Sequence, residues 1–322
     1  MNESITSMLK DWIPYRLQED GNEYNCRWLY LGDEEIGEPF FNDTISKCRK
    51  LSNNSQLKRC ISSIEILPEW AEQIDAISPT AFVFHVSRCG STLISQLLGI
   101  KPGNIVLSEV PFFDELLRLG HKHTDKDVLP ILKAAIHLYG AKRKNSDRHL
   151  FIKTDSWHIH FYKQLRELYP LTPFIFLYRK PDEVIRSQQK NRGMQAVPGV
   201  VEPEIFGFDI HKITQLGLDE YMAKVLEGYL QQIIEIANSD KLSLLVNYNE
   251  GAIEIVKKIA AHSRISIDEN ELELMKQRSG FHGKYPEQLF AEPVVNQSIP
   301  TYLNRAFDLY DELEKIKTSS KA

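Results

Sequence analysis

Two stretches of the sequence place anion-binding residue types where a backbone turn would present them. In Phe82 to Leu98, FVFHVSRCGSTLISQLL, an apolar run leads into Arg88-Cys89-Gly90-Ser91-Thr92 and then into Leu93, Ile94, Leu97 and Leu98 at helical spacing. Gly90 permits a sharp turn, Ser91 and Thr92 offer hydroxyls, and the amides at a helix start face any anion placed there. Arg88 adds a permanent positive charge. The same residues would also serve a buried strand, turn and helix whose hydroxyls only cap the helix. The second stretch is the apolar run Phe174 to Tyr178, followed by Arg179, Lys180-Pro181 and a helix from Asp182 to Asn191 that carries Ser187. An arginine fork with a nearby hydroxyl suits a phosphate monoester. The chain lacks G-x-x-x-x-G-K-S/T, so the ATP and GTP form of a phosphate loop is not matched.

Candidate acids and bases stand at strand ends. Glu109 follows the short strand Asn104 to Ser108, and Lys153, Thr154 and Asp155 close the strand that begins at His149. In open α/β sheets ligands gather beyond the carboxyl ends of strands, which makes Glu109 and Lys153 candidates for the same crevice. Glu109 would also be unremarkable as an exposed loop residue. His158 and His160 are two apart, a poor spacing for chelation from one helix face. Cys26, Cys48, Cys60 and Cys89 form no C-x-x-C pair, so neither a zinc site nor a disulfide framework is expected.

These residues need a parallel sheet to position them. Strands over 82–86, 104–108, 149–154 and 174–178 alternate with helices, among them Asp127 to Tyr139, a helical run Trp157 to Tyr169, Asp219 to Ala237 and Ala252 to His262. The expected fold is a three-layer α/β/α arrangement around a central, mainly parallel sheet. Residues 1–76 read differently, with short strand candidates at Trp28 to Leu31 and Cys60 to Leu67 and a helix opened by Pro68 that runs to Ile77. They form a small N-terminal subdomain or cap in this reading, and 77–322 the α/β domain. Gly193 to Phe208, apolar yet rich in Gly and Pro, suits either a loop over an acceptor pocket or a surface loop.

A chain of 322 residues with 42% hydrophobic and 26% charged residues has ordinary globular composition. Its net charge of -5 gives no general attraction to nucleic acid or anionic membrane, so any anion site is local. The basic run Ala141 to Arg148 has no interleaved aromatic residues for base stacking. No apolar stretch reaches membrane-spanning length and no signal-peptide core opens the chain, which predicts a cytoplasmic protein without membrane insertion.

Together the two anion-binding stretches resemble the sulfotransferase superfamily, a P-loop-like group that transfers a sulfuryl group from 3'-phosphoadenosine 5'-phosphosulfate (PAPS). Its modified phosphate loop, typically Lys- or Arg-Ser-Gly-Thr-Thr, is similar to Arg88-Cys89-Gly90-Ser91-Thr92, and its strand-arginine, proline-initiated helix and serine eight positions on are similar to Arg179, Pro181 and Ser187. FIKT at Phe151 to Thr154 and LLVNYNE at Leu244 to Glu250 are weaker echoes, and the likeness covers about residues 80 to 290. The resemblance implies that Arg88 and Cys89 to Thr92 hold the 5'-phosphosulfate, Arg179 and Ser187 the 3'-phosphate, with Lys284 a substitute contact. It also implies Glu109 as base with Asp155 as the second choice, Arg88 and Lys153 stabilising the leaving group, a small-molecule acceptor, no metal and no nucleic-acid partner. The family's Arg-Lys-Gly and Gly-x-Trp-Lys segment is absent, and Asp155 stands where a catalytic histidine is expected. An ATP-using phosphotransferase and a non-catalytic nucleotide-binding or scaffold protein are the alternative readings.

Overall fold

The computed structural model describes residues 8–55, 60–285, 287–289 and 298–319. The fold is α/β, with a five-stranded parallel sheet flanked by helices and a separate three-stranded antiparallel sheet near the N-terminus. The strands are β1 Trp12–Asp20, β2 Glu23–Tyr30, β3 Ile61–Ser63, β4 Pro79–His85, β5 Asn104–Ser108, β6 His149–Lys153, β7 Phe174–Tyr178 and β8 Ser243–Asn247. The sheet orders are β1-β2-β3 and β5-β6-β4-β7-β8. The chain divides into two compact units, one of residues 1–81, 95–153 and 164–170 and another of 82–94, 154–163 and 171–322.

In the first unit β1 and β2 form a hairpin closed at Gly21, whose φ of 60° only glycine adopts freely. The register shifts between Pro14 and Arg16, where proline has no N–H for the ladder, and the freed Pro14 carbonyl accepts a 2.7 Å hydrogen bond from Tyr139. Tyr139 is itself packed between Phe41 and Phe113. The helix Pro111–Lys122 ties in through Glu115, which accepts from Arg16 and from the Leu17 amide. The expected strand at Trp28 to Leu31 is the end of the longer β2, and its partner β1 escaped the sequence pattern because Pro14 and the charged Arg16, Glu19 and Asp20 break its alternation. Cys60 to Leu67 is strand only over Ile61–Ser63; Ser63 then accepts from the Glu65 amide and turns the chain into a 3-10 turn and the short helix Leu67–Ala71.

In the second unit β4, β7 and β8 run parallel in register, with Phe84 opposite Phe176 and Tyr178 opposite Asn247. All five residues of β7 are buried, which is why the apolar run was legible as a central strand. Phe84 stacks on Phe176 and lies tilted against Phe174, filling the sheet face with aromatic carbon. The helix Leu218–Ser239 buries Tyr221, Met222, Leu226, Tyr229, Leu230 and Ile233. Gly193 to Phe208 is well packed: Ala196, Val201, Ile205 and Phe206 are buried, and Phe206 contacts His160 and Tyr229. Trp157 to Tyr169 begins as a 3-10 segment, Ser156–Phe161, before the helix Tyr162–Leu168. Among the described residues no helix is long and apolar enough to cross a membrane.

Candidate functional site

β4 ends at His85, and the chain then turns through three left-handed residues, Ser87 at φ 64°, Arg88 at 49° and Gly90 at 78°, before the helix Ser91–Leu98. For Ser87 and Arg88 this conformation costs on the order of 1–3 kcal/mol each, so the surroundings must hold it. Several bonds do so. The Ser87 amide donates to His85 Nδ1 at 3.1 Å, which leaves His85 Nε2 carrying the proton and donating to the Thr154 carbonyl at 3.0 Å. The Ser87 hydroxyl oxygen accepts from Gln188 Nε2 at 3.1 Å and from Gln195 Nε2 at 2.6 Å. Cys89 Sγ donates to the Leu177 carbonyl at 3.4 Å, and this buried thiol packs the loop onto β7. Ile94 closes the first helical turn on the Gly90 carbonyl. Among the described residues the amides of Gly90 and Thr92 donate to no protein acceptor. A concave turn with such amides at a helix start is an anion-binding geometry.

Gly90 is required by its neighbour. A Cβ there would lie 2.1 Å from Tyr248 Cε2 and 2.4 Å from Cδ2, so the ring rests directly on the glycine. Tyr248 also faces Arg179, whose guanidinium carbon is 4.6 Å from the ring centroid. Burial raises the Tyr248 hydroxyl pKa against the opposing influence of Arg179, keeping the phenol neutral at pH 7.

Arg179 is buried at the end of β7. Its Nε is 2.8 Å from Glu183, one turn into the helix Pro181–Lys190, and its Nη1 donates to the Arg88 carbonyl at 3.4 Å. Arg88 in turn donates through Nη2 to the carbonyl of Asn191, just beyond that helix. The two stretches singled out in the sequence are thus joined directly, Arg179 to the loop backbone and Arg88 to the far end of the Arg179 helix. Ser187 lies half-buried one turn beyond Glu183, and its hydroxyl has no hydrogen-bond partner among the described residues.

Lys284 belongs to a segment that meets the same helix start. A Cβ on Gly283 would come within 3.0 Å of the Leu93 amide nitrogen, so the two backbones touch there. His282 Nδ1 accepts from the Lys284 and Tyr285 amides, and Arg278 donates to the carbonyls of Phe281, His282 and Gly283. Burial lowers the His282 pKa, and the charges of Lys284, Arg278 and Arg88 lower it further. The charges of Lys284, Arg278 and Arg88 all reach His282, which places positive charge beside this segment.

Asp155 precedes the 3-10 segment and lies 3.8 Å from His158 Nε2, with the His158 amide donating to its carbonyl at 3.1 Å. Thr154 is held to Val83 through its amide and hydroxyl. In the other unit Glu109 adopts φ 55°, and its amide donates to the Lys153 carbonyl at 2.8 Å. Lys153 is fully buried, with Nζ 2.8 Å from Glu109 Oε1 and 5.0 Å from the Phe40 ring centroid. That ammonium has charge compensation but, among the described residues, no aligned hydrogen bond.

Gln188, Gln195 and Tyr248 are parts of this site that spacing did not reveal, and Ser87 lies within the legible turn without its partners being so. Only Tyr248 left a signal, as a strand-terminal aromatic in LLVNYNE; the two glutamines are ordinary helix and loop residues in one dimension.

The sequence matches no protein family model and no curated protein. Sulfotransferases are among the solved structures with a similar chain trace. One, from Alicyclobacillus acidocaldarius, is 14% identical, with 76% of this chain covering 93% of that one at a TM-score of 0.40. Mouse SULT7A1 complexed with PAP is also 14% identical, with coverage of 81% and 94% and a TM-score of 0.44. STF9 from Mycobacterium avium is 13% identical, with coverage of 80% and 79% and a TM-score of 0.45. Likeness at this level carries no argument about function, which rests on the residues themselves.

Proposed function

We propose that this protein transfers a sulfuryl group from PAPS to a hydroxyl or amine of a small-molecule acceptor. The observation that carries the proposal is the direct link between two anion-binding elements: the left-handed turn 87–90, whose Gly90 and Thr92 amides have no acceptor among the described residues, and Arg179, which bonds the Arg88 carbonyl. A nucleotide with separate 5' and 3' anions asks for such a pair, whereas an ATP loop relies on a lysine that this loop lacks.

In this reading the amides and hydroxyls of Cys89 to Thr92 and the Arg88 charge hold the 5'-phosphosulfate. Arg179 and Ser187 take the 3'-phosphate, and Lys284 adds positive charge. The acceptor oxygen or nitrogen attacks sulfur in line, the bond from sulfur to the phosphate oxygen breaks, and 3'-phosphoadenosine 5'-phosphate (PAP) departs. Arg88 and Lys153 are assigned to stabilising the leaving phosphate; arginine acts there as a charge and not as an acid. Glu109 is assigned as the base that takes the acceptor's proton, and Asp155 is the second candidate.

Calorimetry with PAP, ATP and adenosine 5'-phosphosulfate tests the nucleotide assignment. PAP is expected to bind at least tenfold more tightly than ATP, and Arg179→Ala with Ser187→Ala to weaken PAP while sparing adenosine 5'-phosphosulfate, which lacks the 3'-phosphate. Tighter binding of ATP than PAP, or equal losses for both adenosine ligands, would overturn it.

A further inference from the structure

Ser87 stands where the loop leaves β4, is 9% exposed, and holds an unfavourable left-handed φ of 64°. Its hydroxyl is surrounded by two buried side-chain amides. Gln188 is fully buried and Gln195 is 4% exposed, and both point Nε2 at Ser87 Oγ. The orientation of Gln188 is settled by a second bond: its Oε1 accepts from the Gly193 amide at 2.8 Å, so its Nε2 must face the serine.

A hydroxyl oxygen has two acceptor sites and one proton. With both acceptor sites occupied by amide donors, Ser87 has only its proton left to use, and among the described residues no group accepts it. A buried hydroxyl donor without an acceptor costs free energy unless a ligand supplies one. The neighbouring groups indicate which kind: the amides of Gly90 and Thr92, which have no acceptor among the described residues, and the Arg88 charge favour an anion.

We infer that the Ser87 hydroxyl donates a hydrogen bond to the anion seated in the loop that begins at Ser87, and that Gln188 and Gln195 are positioning residues that turn the hydroxyl outward by filling its acceptor sites. The inference takes the identity of the anion, the 5' group of PAPS, from the proposed function; the donor role itself stands on the loop geometry. Because Gln195 belongs to the turn Met194–Ala196 and Gln188 to the helix that carries Ser187, the same bonds connect the anion to both neighbouring segments.

The test is isothermal calorimetry with three probes, PAP, adenosine 3'-monophosphate and inorganic pyrophosphate, on the wild-type chain and on Ser87→Ala. Ser87→Gly, which suits the left-handed backbone, serves as a second variant should the alanine variant fold poorly. PAP binding is expected to fall about 10- to 100-fold, the effect of losing a hydrogen bond to a charged group, while adenosine 3'-monophosphate, with no 5' anion, changes less than about twofold. Gln195→Met, which frees one acceptor site and lets the hydroxyl rotate, is expected to give a smaller loss with the same selectivity. Unchanged PAP affinity, or equal losses for PAP and adenosine 3'-monophosphate, would overturn the donor role and leave Ser87 structural. If the wild-type chain ignores PAP but binds pyrophosphate in a Ser87-dependent way, the nucleotide reading fails and the donor role stands; if it binds neither, both fail.

Discussion

Replacing Gly90 with alanine tests the packing at the heart of the site. The new methyl would meet the Tyr248 ring at 2.1 and 2.4 Å, distances at which the ring must move, and the residue would still need φ 78°. The left-handed backbone costs an alanine about 1–2 kcal/mol. Forcing a methyl against the ring adds about 1–3 kcal/mol, so Gly90→Ala is expected to destabilise by roughly 2–5 kcal/mol in all. The two contributions separate in a double-mutant cycle. With Tyr248→Ala as background the clash disappears and Gly90→Ala should cost only about 1–2 kcal/mol, a coupling of about 1–3 kcal/mol. Urea denaturation followed by tryptophan fluorescence reads both costs as midpoint shifts at unchanged slope. The reasoning is refuted if Gly90→Ala costs less than about 1 kcal/mol, or if it costs the same in both backgrounds.

The ion pair between Lys153 and Glu109 gives an asymmetric expectation. Glu109→Ala leaves the fully buried ammonium without compensation and should cost about 3–5 kcal/mol, whereas Lys153→Met should cost clearly less; chemical denaturation of the two variants ranks them. Burial lowers the His160 pKa to about 4 from the ordinary 6.5. Because the folded value is the lower one, this contribution to stability is complete above pH 6.5 and is lost as pH falls toward 4, on the order of 3 kcal/mol. His160→Phe should flatten the stability profile across that window, and an unchanged slope would show that the imidazole titrates normally.

The sequence disclosed most where one dimension suffices. β5 and β7 are buried apolar runs, and both match the strands read from them residue for residue, as does the helix Ala252–His262. The loop from Ser87 to Thr92 was visible because glycine, hydroxyls and arginine fall between a strand pattern and a helix pattern. What lay hidden depends on distant pairs. Tyr248 reaches Gly90 only because β8 runs beside β7, and no local pattern near either residue encodes that contact. Gln188 and Gln195 look like solvent-facing residues until the fold buries them against Ser87. The hairpin of β1 and β2 escaped for a different reason: Pro14 and the charged end of β1 interrupt the alternation, and the strand is stabilised by Tyr139, 125 residues from Pro14, and by Glu115, 98 residues from Leu17.

The base assignment requires that Glu109→Gln, which keeps shape and loses charge, depress transfer more than it depresses nucleotide binding. The central claim, sulfuryl transfer itself, is tested most directly by incubating the chain with sulfur-35-labelled PAPS and a panel of phenols, alcohols and amines. The account predicts labelled product formed one-for-one with PAP, and a fall of at least about a hundredfold in Arg88→Ala and Glu109→Gln. Absence of labelled product across the panel, together with transfer of the terminal phosphate from labelled ATP, would contradict it.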